Sequence, residues 1–476
     1  MSMPNKIPEQ VKQVLRTLNN NGYEGYIVGG AVRDYVMGAE PHDWDITTDA
    51  TPEQVKNCFK KTIDTGIKHG TVTAMLDGEG YEITTYRTDG KYSDGRHPDE
   101  VKFVKSLKED LARRDFTINA MAMDADGNIV DPFGGLEDLK SGTIRCVGNP
   151  DDRFSEDALR LLRAVRFESK FDFKLDLALK ESIPRHTENL KNISAERIRD
   201  ELTKMLLSKN PTKGFEDAYE TGITKVVLPE FDTMMECSQN TPYHYTDVGH
   251  HSLDVVKGVS PTFTLRWAAL LHDVGKPETK TYDPEKGRER FLGHPEVSAR
   301  IAGDITKRLR FSNADSDKII KMITYHDYVT KTPSKIRRFA AEMGKDFFPE
   351  FEELRYADAY AHTAKYAPEI QAGHDHMKEK MEKYFADGSV ITIQGLKIDG
   401  NELQELGIKG KKIGEFLQAA HRDCLGQPSH NTNEFLRQQA EKFRASEERK
   451  AQSRLNSLPR VERQADGLTN QSQFDE

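Results

Sequence analysis

Two aspartates separated by one residue, Asp43 and Asp45, are the first side chains whose spacing suggests chemistry. The surrounding run WDIT predicts a strand, and residues i and i+2 of a strand face the same side, so the two carboxylates would converge. A converging pair can hold Mg²⁺, which binds one or two carboxylates together with substrate phosphates. Glu82, in the β-rich run YEITTYR, would add a third carboxylate from a neighbouring strand. Taken alone, a bare Asp-x-Asp is more often a solvated acidic turn, and Glu82 is as often an exposed strand residue.

Glycines and arginines that suit a phosphate flank these carboxylates. The pair Gly29-Gly30 follows the apolar run GYIV and opens a predicted helix that carries Arg33. Glycines let backbone N–H groups approach a phosphate closely, and a helix start favours anions. Arg114 and Asp115 could clamp a phosphate and accept a hydrogen bond from a sugar hydroxyl, with a surface ion pair as the alternative. In this order the groups are the parts of a two-metal phosphoryl transferase, in which one metal activates a 3′-hydroxyl and the other neutralises a triphosphate.

A row of charged side chains follows on the predicted amphipathic helix EDALRLLRAVRF. Asp157 and Arg160 are spaced i, i+3 there, so they would be neighbours on one helix face. An Asp acceptor beside an Arg donor can present a Watson–Crick-like edge to a base. Arg163 and Arg166 continue the row and could reach phosphates. For an isolated helix the favoured alternative is an ion pair with solvated arginines.

A second constellation of metal-ligand types lies in the C-terminal half. The adjacent pair His272-Asp273 is flanked by further histidines and followed by a distant aspartate. Neutral imidazole and carboxylate are ligands for Mn²⁺, Fe²⁺, Ni²⁺ or Zn²⁺. The candidate ligands are His251, His272, Asp273, His294, His326 and Asp358. His250 precedes His251, which leaves the identity of the first ligand open.

Apolar spacing predicts the elements that position these residues. To about residue 145 the pattern is mixed α/β, with GYIV, WDIT, HGTVTAML and YEITTYR as strands and TPEQVKNCFK as a helix. From about residue 151 the chain is helical, as in RFSEDALRLLRAVRFESK, ISAERIRDELTKMLLS and FTLRWAALLHDVG. After Pro428 apolar periodicity is lost. Residues 432–455 predict a polar helix, and residues 456–476 predict a disordered tail.

Composition limits the classes of protein. The 476 residues are 36% hydrophobic and 31% charged, which predicts several packed domains, and the net charge of −9 excludes a generally basic nucleic-acid coat. No run approaches ~18 apolar residues, so no transmembrane helix is expected, and the first residues lack an apolar signal core. The four cysteines, Cys58, Cys146, Cys237 and Cys424, form no CxxC pair and are expected to be free buried thiols in a reducing cytosol. These features predict a cytoplasmic protein without a membrane partner.

Eight runs over about residues 22–205 resemble, in order, the motifs of the class II tRNA nucleotidyltransferases, the CCA-adding enzymes. The runs are GYIVGGAVRDYVMG, DWDITTDATPEQV, HGTV, YEITTYR, EDLARRDFTINAMA, DPFGGLEDL, IRCVGNPDDRFSEDALRLLRAVRF and ISAERIRDEL. The resemblance implies template-independent addition of CCA to the 3′ end of tRNA from CTP and ATP. It also implies that the segment 88–105 is a loop that helps the switch from C to A addition.

The same resemblance assigns roles to the head residues. It implies that Asp43 and Asp45 bind Mg²⁺ beside Glu82. It implies a nucleotide site formed by Gly29, Gly30, Arg33, Arg114, Asp115, Asp157, Arg160, Arg163 and Arg166. Within that site Arg114 and Asp115 would lie near the ribose. Asp157 and Arg160 would read the base, and Arg163 and Arg166 would hold phosphates.

The histidine-rich constellation resembles the HD-domain phosphohydrolases. The resemblance implies core ligands from His251, His272, Asp273 and Asp358, with His294 and His326 at the extra positions found in members that hydrolyse phosphates. The metal would be Ni²⁺, Mn²⁺, Fe²⁺, Zn²⁺ or Mg²⁺. Hydrolysis of 2′,3′-cyclic or 2′ phosphates is a companion activity in nucleotidyltransferases that carry this domain. A later run, VITIQGLKIDGNELQELGIKGKKIGEFLQAA, resembles the family's tail, where residues 409–412 could contact a phosphate backbone.

The sequence therefore predicts an α+β protein with a small antiparallel-rich head sheet followed by an all-α neck, an HD domain and a tail. The predicted domains are a head at 1–145, a neck at 146–225, an HD domain at 226–385, a tRNA-contacting tail at 386–428, and a polar helix with a disordered extension at 429–476. A bacterial-type poly(A) polymerase and a CC-only or A-only adding enzyme are the close alternatives. An HD phosphohydrolase with a degenerate head is the alternative from another class, and the intact head carboxylates argue against it.

Overall fold

The computed structural model describes residues 6–89 and 101–457. It divides into two compact units, Met1–His326 with Tyr360–Ala364, and Asp327–Ala359 with Lys365–Glu476. Most of the loop predicted at 88–105, and the predicted tail from 458 to 476, lie outside the described residues. The domain boundaries drawn from the sequence stay predictions.

The strands of the described residues lie in the first unit and alternate with helices in its head. They are β1 Gly25–Val28, β2 Ile46–Thr48, β3 Thr62–Gly66, β4 Thr71–Leu76, β5 Glu79–Thr85, β6 Arg87–Asp89, β7 Val101–Phe103, β8 Ala122–Met123, β9 Ile129–Val130, β10 Thr143–Ile144, β11 Lys174–Leu175, β12 Thr281–Asp283 and β13 Arg288–Arg290. Seven of them form one sheet in the order β3-β4-β5-β2-β1-β8-β9. Within that sheet only β2 and β5 pair in parallel, which confirms the predicted antiparallel-rich head.

The register of the parallel pair places the head carboxylates next to each other. Ile46 of β2 pairs with Ile83 of β5. Asp45 and Glu82 each precede these partners by one residue, so Asp45, just before β2, lies beside Glu82 in the middle of β5. Because side chains alternate along a strand, the buried isoleucines enter the core while the carboxylates face away from it.

The helices of the first unit carry the neck and the histidine-rich region as well as the head. In the head and neck they are Glu9–Asn20, Gly30–Val36, Pro52–Cys58, Leu107–Ala112, Gly135–Ser141, Pro150–Glu156, Leu159–Phe171, Leu177–His186, Ala195–Leu206, Pro211–Glu220, Ile223–Val227 and Pro229–Met235. The helices that follow are Val248–Gly258, Phe263–Leu271, Lys276–Thr279, His294–Arg308 and Asn313–Tyr325. Helix Glu9–Asn20 shows how they pack, because Val11, Val14, Leu15 and Leu18 form one buried stripe in the core beneath the head sheet.

The second unit is helical in its described part and has a separate hydrophobic core. Its helices are Pro333–Met343, Phe348–Tyr360, Ala367–Ala386, Gly400–Glu405, Lys411–Gly426 and Asn433–Ser457. The last of these agrees with the polar helix predicted over 432–455, and it contributes Leu436 and Ala440 to the core. The four cysteines are free, as predicted, but Cys58 is only half-buried. Among the described residues, no helix is long and apolar enough to cross a membrane.

Candidate functional site

Three carboxylates of the head line a single cavity of about 620 Å³. Asp43, Asp45 and Glu82 all border it and are all exposed to solvent. The prediction that both aspartates lie on a strand is wrong, because β2 begins at Ile46. The segment that enters β2 brings them together instead. Its position is fixed by a 2.9 Å hydrogen bond from Val28 N–H, at the end of β1, to the Asp45 carbonyl oxygen.

The electrostatics of this cavity suit a divalent cation. Loss of water raises the pKa of Asp45, the positive charge of Arg114 lowers it, and the neighbouring charge of Asp43 raises it again, so the net shift is upward. Two carboxylates that face one cavity repel each other, and a cation between them would relieve that repulsion. Carboxylate oxygens are the ligands that Mg²⁺ prefers. The residues present therefore fit the predicted metal.

Arg114 approaches the backbone at the Gly29-Gly30 turn. Gly29 adopts φ +71°, a conformation that side chains rarely allow, and a Cβ added there would lie 3.0 Å from Arg114 Nη1. Gly29 therefore supplies both the turn after β1 and the space in which the guanidinium lies. Two of the predicted nucleotide-site residues are thus adjacent in the structure.

Asp110, which the sequence analysis did not single out, anchors Arg114 from behind. Its carboxylate is fully buried and accepts hydrogen bonds from Arg87 N–H at 3.3 Å and from Arg113 Nε at 3.0 Å. Its second oxygen lies 3.3 Å from Thr47 Oγ1 and 3.6 Å from Arg114 Nη2. The Asp110 carboxylate therefore contacts β2, which follows Asp45, the first residue of hairpin β6–β7, and the Arg114 guanidinium. The i, i+3 and i, i+4 spacing to Arg113 and Arg114 was the available sequence signal.

A buried amide connects three other predicted nucleotide-site residues. Asn119 accepts from Arg33 Nη1 through Oδ1 and donates from Nδ2 to Asp115 Oδ1 at 3.0 Å. Arg163 Nε donates to Asp115 Oδ2 at 2.7 Å. Burial alone would raise the pKa of Asp115, but Arg163 and the Asn119 hydrogen bond hold it well below its ordinary value. Arg33 also lies over the ring of Phe171, 4.8 Å from its centroid, so this network reaches from the head into the neck.

The prediction that Asp157 and Arg160 are neighbours on one helix face is wrong. One helix ends at Glu156 and the next begins at Leu159, and Asp157 between them is extended. Asp157 Oδ1 accepts from Leu159 N–H at 2.9 Å, because a short acidic side chain satisfies the open N–H groups at a helix start. Its Oδ2 accepts from Arg197 Nη2 at 3.1 Å, while Arg160 Nη1 donates to Glu156 Oε2 at 2.6 Å.

The remaining arginine of the predicted row is also engaged within the neck. Arg166 pairs with Glu201 of helix Ala195–Leu206 and lies over the Phe167 ring, 4.1 Å from its centroid. Both members of the ion pair are buried. The alternative of solvated arginines is therefore wrong for Arg166, and in this state its guanidinium joins two neck helices.

Four imidazole rings surround the buried carboxylate of Asp273 in the histidine-rich region. Nε2 of His251 and of His272 lie 3.5 and 3.2 Å from Asp273 Oδ2. Nε2 of His294 and of His326 lie 3.2 and 3.7 Å from Oδ1. Each carboxylate oxygen thus faces its own pair of imidazole nitrogens, and all five side chains are at most 8% exposed.

Backbone carbonyls orient three of these rings. Nδ1 of His272, His294 and His326 lies 2.9, 2.9 and 2.7 Å from the carbonyl oxygen three residues earlier in the chain. A carbonyl oxygen only accepts, so Nδ1 carries the proton and Nε2 offers a lone pair towards Asp273. Nε2 of His294 and Nε2 of His326 are 3.3 Å apart, and two lone pairs that close repel unless a proton or a cation lies between them. These observations fit a metal centre.

Further groups at this centre were missed by the sequence analysis. The ring of His244 lies 4.7 Å from that of His251 and 4.4 Å from that of His362, centroid to centroid. Lys276 Nζ lies 2.6 Å from Asp273 Oδ2 and 3.3 Å from His244 Nε2. Burial alone would raise the pKa of Asp273, but His272 and Lys276 hold it well below its ordinary value. The only sequence signal was that His244 and His362 lie close to predicted ligands.

The two open questions about the ligand set have different outcomes. His250 is half-buried and its Nδ1 lies 2.6 Å from Asp247 Oδ2, whereas His251 is buried beside Asp273, so His251 is the candidate ligand. Asp358 lies buried on helix Phe348–Tyr360 of the second unit, and its role as a ligand stays a prediction.

Family profiles match three parts of the chain. The profile of the Poly A polymerase head domain matches residues 25–145, and that of the probable RNA and SrmB-binding site of polymerase A matches residues 172–235. The profile of the HD domain matches residues 248–368. Residues 25–145 therefore match a Poly A polymerase head domain, and residues 248–368 match an HD domain. The HD domain contains the histidine cluster around Asp273.

Curated relatives are similar over about half of the chain. The CCA-adding enzyme of Ligilactobacillus salivarius is 51% identical over 222 residues, which are 46% of this chain and 55% of that protein. The CCA-adding enzyme of Lactobacillus johnsonii is 52% identical over 226 residues, 47% of this chain and 57% of that protein. The chain therefore spans about half the length of the curated relatives it matches.

A solved structure matches over nearly the whole chain. The Bacillus stearothermophilus CCA-adding enzyme, in complex with CTP, has a TM-score of 0.68 and 29% identity, and the match covers 93% of this chain and 98% of that one. The Thermotoga maritima CCA-adding enzyme complexed with tRNA has a TM-score of 0.52 and 22% identity over 92% and 95% of the two chains, which indicates the fold alone. The predicted α+β fold and the resemblance to CCA-adding enzymes with an HD domain are confirmed.

Proposed function

We propose that the chain adds CCA to the 3′ end of tRNA from CTP and ATP without a nucleic-acid template. The observation that carries the proposal is the cavity in which Asp43, Asp45 and Glu82 meet. Relatives named CCA-adding enzymes are about half identical to this chain over the region that matches. A poly(A) polymerase or a CC-only or A-only enzyme would use the same cavity, and the products distinguish them.

In this proposal Asp43 and Asp45 hold Mg²⁺, with Glu82 beside them. When bound, the ion lowers the pKa of a 3′-hydroxyl and neutralises the charge of a triphosphate. Gly29 and Gly30 let the guanidinium groups of Arg114 and Arg33 approach the backbone, where they would face the phosphates. Arg114, which pairs with the buried Asp110, supplies positive charge that acts on Asp45. Preorganised charge of this kind stabilises a transferring phosphoryl group without rearrangement.

We propose that the neck selects the nucleotide. Arg33, Asp115 and Arg163 are held in one network through Asn119 and provide donors and an acceptor for ribose and phosphates. Asp157 and Arg160 read the base. Since Asp157 accepts from Arg197 and Arg160 donates to Glu156, a base must share or replace these partners. Arg166, in its pair with Glu201, reaches a phosphate only after that pair opens.

A second proposed activity belongs to the histidine cluster. The two oxygens of Asp273 face His251 with His272 and His294 with His326, and these five residues would hold a divalent metal that activates water for hydrolysis. Imidazole and carboxylate donors fit Ni²⁺, Mn²⁺, Fe²⁺ or Zn²⁺, and Mg²⁺ binds such a site less tightly. We assign it metal-dependent hydrolysis of 2′,3′-cyclic or 2′ phosphates. Asp358 is proposed as a further ligand.

The proposed partners follow from the substrate. The tail, 386–428, would contact tRNA through the lysines around Gly410, of which Lys412 already pairs with Glu415 and Glu447. We further propose that the chain works in the cytoplasm, where its tRNA substrate and nucleoside triphosphates are available.

Single-nucleotide incorporation tests the head. A tRNA that ends at the discriminator base is incubated with Mg²⁺ and labelled CTP, ATP, UTP or GTP, singly and together. CTP followed by ATP should be incorporated, and addition should stop after three nucleotides. Asp43→Asn should abolish addition, whereas Asp126→Asn, in an exposed turn of the same domain, should leave it unchanged. Long A tails on any RNA would instead identify a poly(A) polymerase.

A further inference from the structure

A second cavity lies in the HD region beside the histidine cluster. It has a volume of about 580 Å³ and is bordered by the loop that precedes His244 and by the turn of hairpin β12–β13. The lining residues are Asn240, Thr241, Pro242, Lys286, Gly287 and Arg288. Its two charged lining side chains are both cationic. This cavity is distinct from that of the head carboxylates.

Two of the three acidic side chains of the hairpin, Glu289 and Asp283, already have partners. Glu289 accepts from Asn240 N–H at 2.6 Å and pairs with Lys280 at 2.8 Å. Asp283 pairs with Arg290. Lys286 is exposed and Arg288 half-buried. Glu285, next to Lys286 in the turn, is exposed and does not line the cavity. The charged side chains that do line it are both positive, so the cavity is suited to an anion.

The loop from Asn240 to His244 joins the cavity to the metal centre. Arg288 Nη1 donates to Tyr243 Oη at 3.3 Å. The next residue, His244, has its ring 4.7 Å from that of His251. Thr363 holds the loop between them, because its N–H donates to the Tyr243 carbonyl at 2.8 Å and its hydroxyl to the Pro242 carbonyl at 3.0 Å.

The metal centre itself has little room. Its histidines and Asp273 are at most 8% exposed, so only the reacting end of a substrate can reach them. The remainder must lie outside, against walls such as the loop 240–244. Thr241 Oγ1 on that loop is buried and has no hydrogen-bond partner, and it is available to a polar ligand in the cavity. A guanidinium binds two oxygens of a phosphate or a carboxylate at once, which favours either over a halide. With Lys286 beside Arg288 the cavity lining carries two positive charges, which suits a doubly charged phosphate.

We infer that this cavity binds a second, non-reacting phosphate of the substrate whose terminal phosphate is hydrolysed at the HD centre, with Arg288 as the specificity-determining residue and Lys286 as its auxiliary cation. The inference rests on the proposed hydrolase activity. The substrate class is then a nucleotide or RNA end that carries a 5′-side phosphate as well as the 2′,3′-cyclic or 2′ phosphate. A nucleoside with one phosphate lacks this contact.

Kinetics with two matched substrates test the inference. The full chain, loaded with Mn²⁺, hydrolyses adenosine 2′,3′-cyclic phosphate or its 5′-phosphorylated counterpart. The wild type should have a KM about tenfold lower for the 5′-phosphorylated substrate, and Arg288→Ala should remove that difference while leaving kcat and the KM of the singly phosphorylated substrate unchanged. Arg288→Lys should restore part of it. Arg300→Ala, whose side chain is exposed and pairs with Glu278, is the control and should behave as wild type.

The outcomes separate this inference from the hydrolase proposal. If both substrates are hydrolysed with equal KM, or if Arg288→Ala changes both KM values alike, the cavity is not a phosphate subsite and the hydrolase proposal stands. If neither is hydrolysed, the hydrolase proposal fails. Binding of adenosine 3′,5′-bisphosphate and of 3′-AMP to the Mn²⁺-loaded chain then decides the cavity by calorimetry. The subsite is supported if the wild type binds the bisphosphate more tightly than 3′-AMP and if Arg288→Ala removes this difference in affinity. It is overturned if the wild type binds both ligands equally, or if Arg288→Ala keeps the same difference.

Discussion

Glu168 gives the neck a measurable dependence on pH. It lies on helix Leu159–Phe171 with 2% of its surface exposed. Burial, and then the hydrogen bond and negative charge of Asp217, raise the pKa of Glu168 from 4.5 to about 9, although Lys213 and Lys180 oppose the rise. At neutral pH the folded chain therefore keeps a proton on Glu168 that the unfolded chain releases.

A raised carboxyl pKa makes the folded state lose stability as pH rises. Below the ordinary pKa of 4.5 the group is protonated in both states, and above about 9 it is ionised in both, so the loss falls between these values. Each pH unit inside that window lowers the free energy of unfolding by about 1.4 kcal/mol. Between about pH 5 and about pH 8, Glu168 should therefore cost about 4 kcal/mol.

Glu168→Gln removes the titrating proton and keeps a donor towards Asp217. The free energy of unfolding of the variant minus that of the wild type should rise by about 4 kcal/mol from pH 5 to pH 8. Urea unfolding followed by the fluorescence of Trp44 and Trp267, both in the first unit, measures it. The control Glu181→Gln, at an exposed position of helix Leu177–His186, should show no such rise. If the difference in free energy of unfolding between Glu168→Gln and the wild type is the same at pH 5 and pH 8, or if the variant is the less stable protein at pH 8, Glu168 does not carry the extra proton in the folded chain.

Four further variants test the two sites. Asp45→Ala should lower incorporation of both CTP and ATP at least ~100-fold with unchanged thermal unfolding, and near-normal incorporation contradicts the metal assignment. His272→Ala combined with Asp273→Ala should abolish metal-dependent phosphatase activity and spare CCA addition, so loss of addition in a folded variant would give the HD centre a structural role in tRNA binding. Asp157→Ala should raise UTP and GTP use relative to CTP and ATP by about 5- to 160-fold, because an unpaired buried polar group costs ~1–3 kcal/mol. Retained selectivity would mean that the base is read elsewhere. Asp110→Asn should raise the KM for both nucleotides about tenfold, since Arg114 loses the charge of its partner, and an unchanged KM removes Asp110 from the positioning role.

The sequence was most informative where chemistry and periodicity coincide. Strands β1, β4 and β5 and the helices around them were predicted from alternation and glycine positions. Asp45 and Glu82 lie together as predicted, and the reason is the register of the parallel pair β2–β5, which no local pattern contains. Side-chain alternation along a strand does not explain why Asp43 and Asp45 converge, because β2 begins only at Ile46, the residue after Asp45.

The misses share a physical cause. Asp157 was assigned to a helix by apolar spacing that continues across it, whereas its side chain caps the following helix and interrupts the pattern. Asp110 and Asn119 are buried polar residues whose role depends on partners distant in sequence, such as Thr47 and Arg33. Side chains of this kind follow from tertiary packing and leave no periodic signal.

The identity of the added nucleotides is the most direct test of the proposal that the chain adds CCA to tRNA. A tRNA that ends at the discriminator base is incubated with the chain, Mg²⁺ and all four nucleoside triphosphates, and the 3′ ends of the products are sequenced. We expect a homogeneous product extended by CCA from the wild type and no product from Asp43→Asn. Extension by a run of A residues, extension that ends after CC, or an equal product from Asp43→Asn would contradict the proposal.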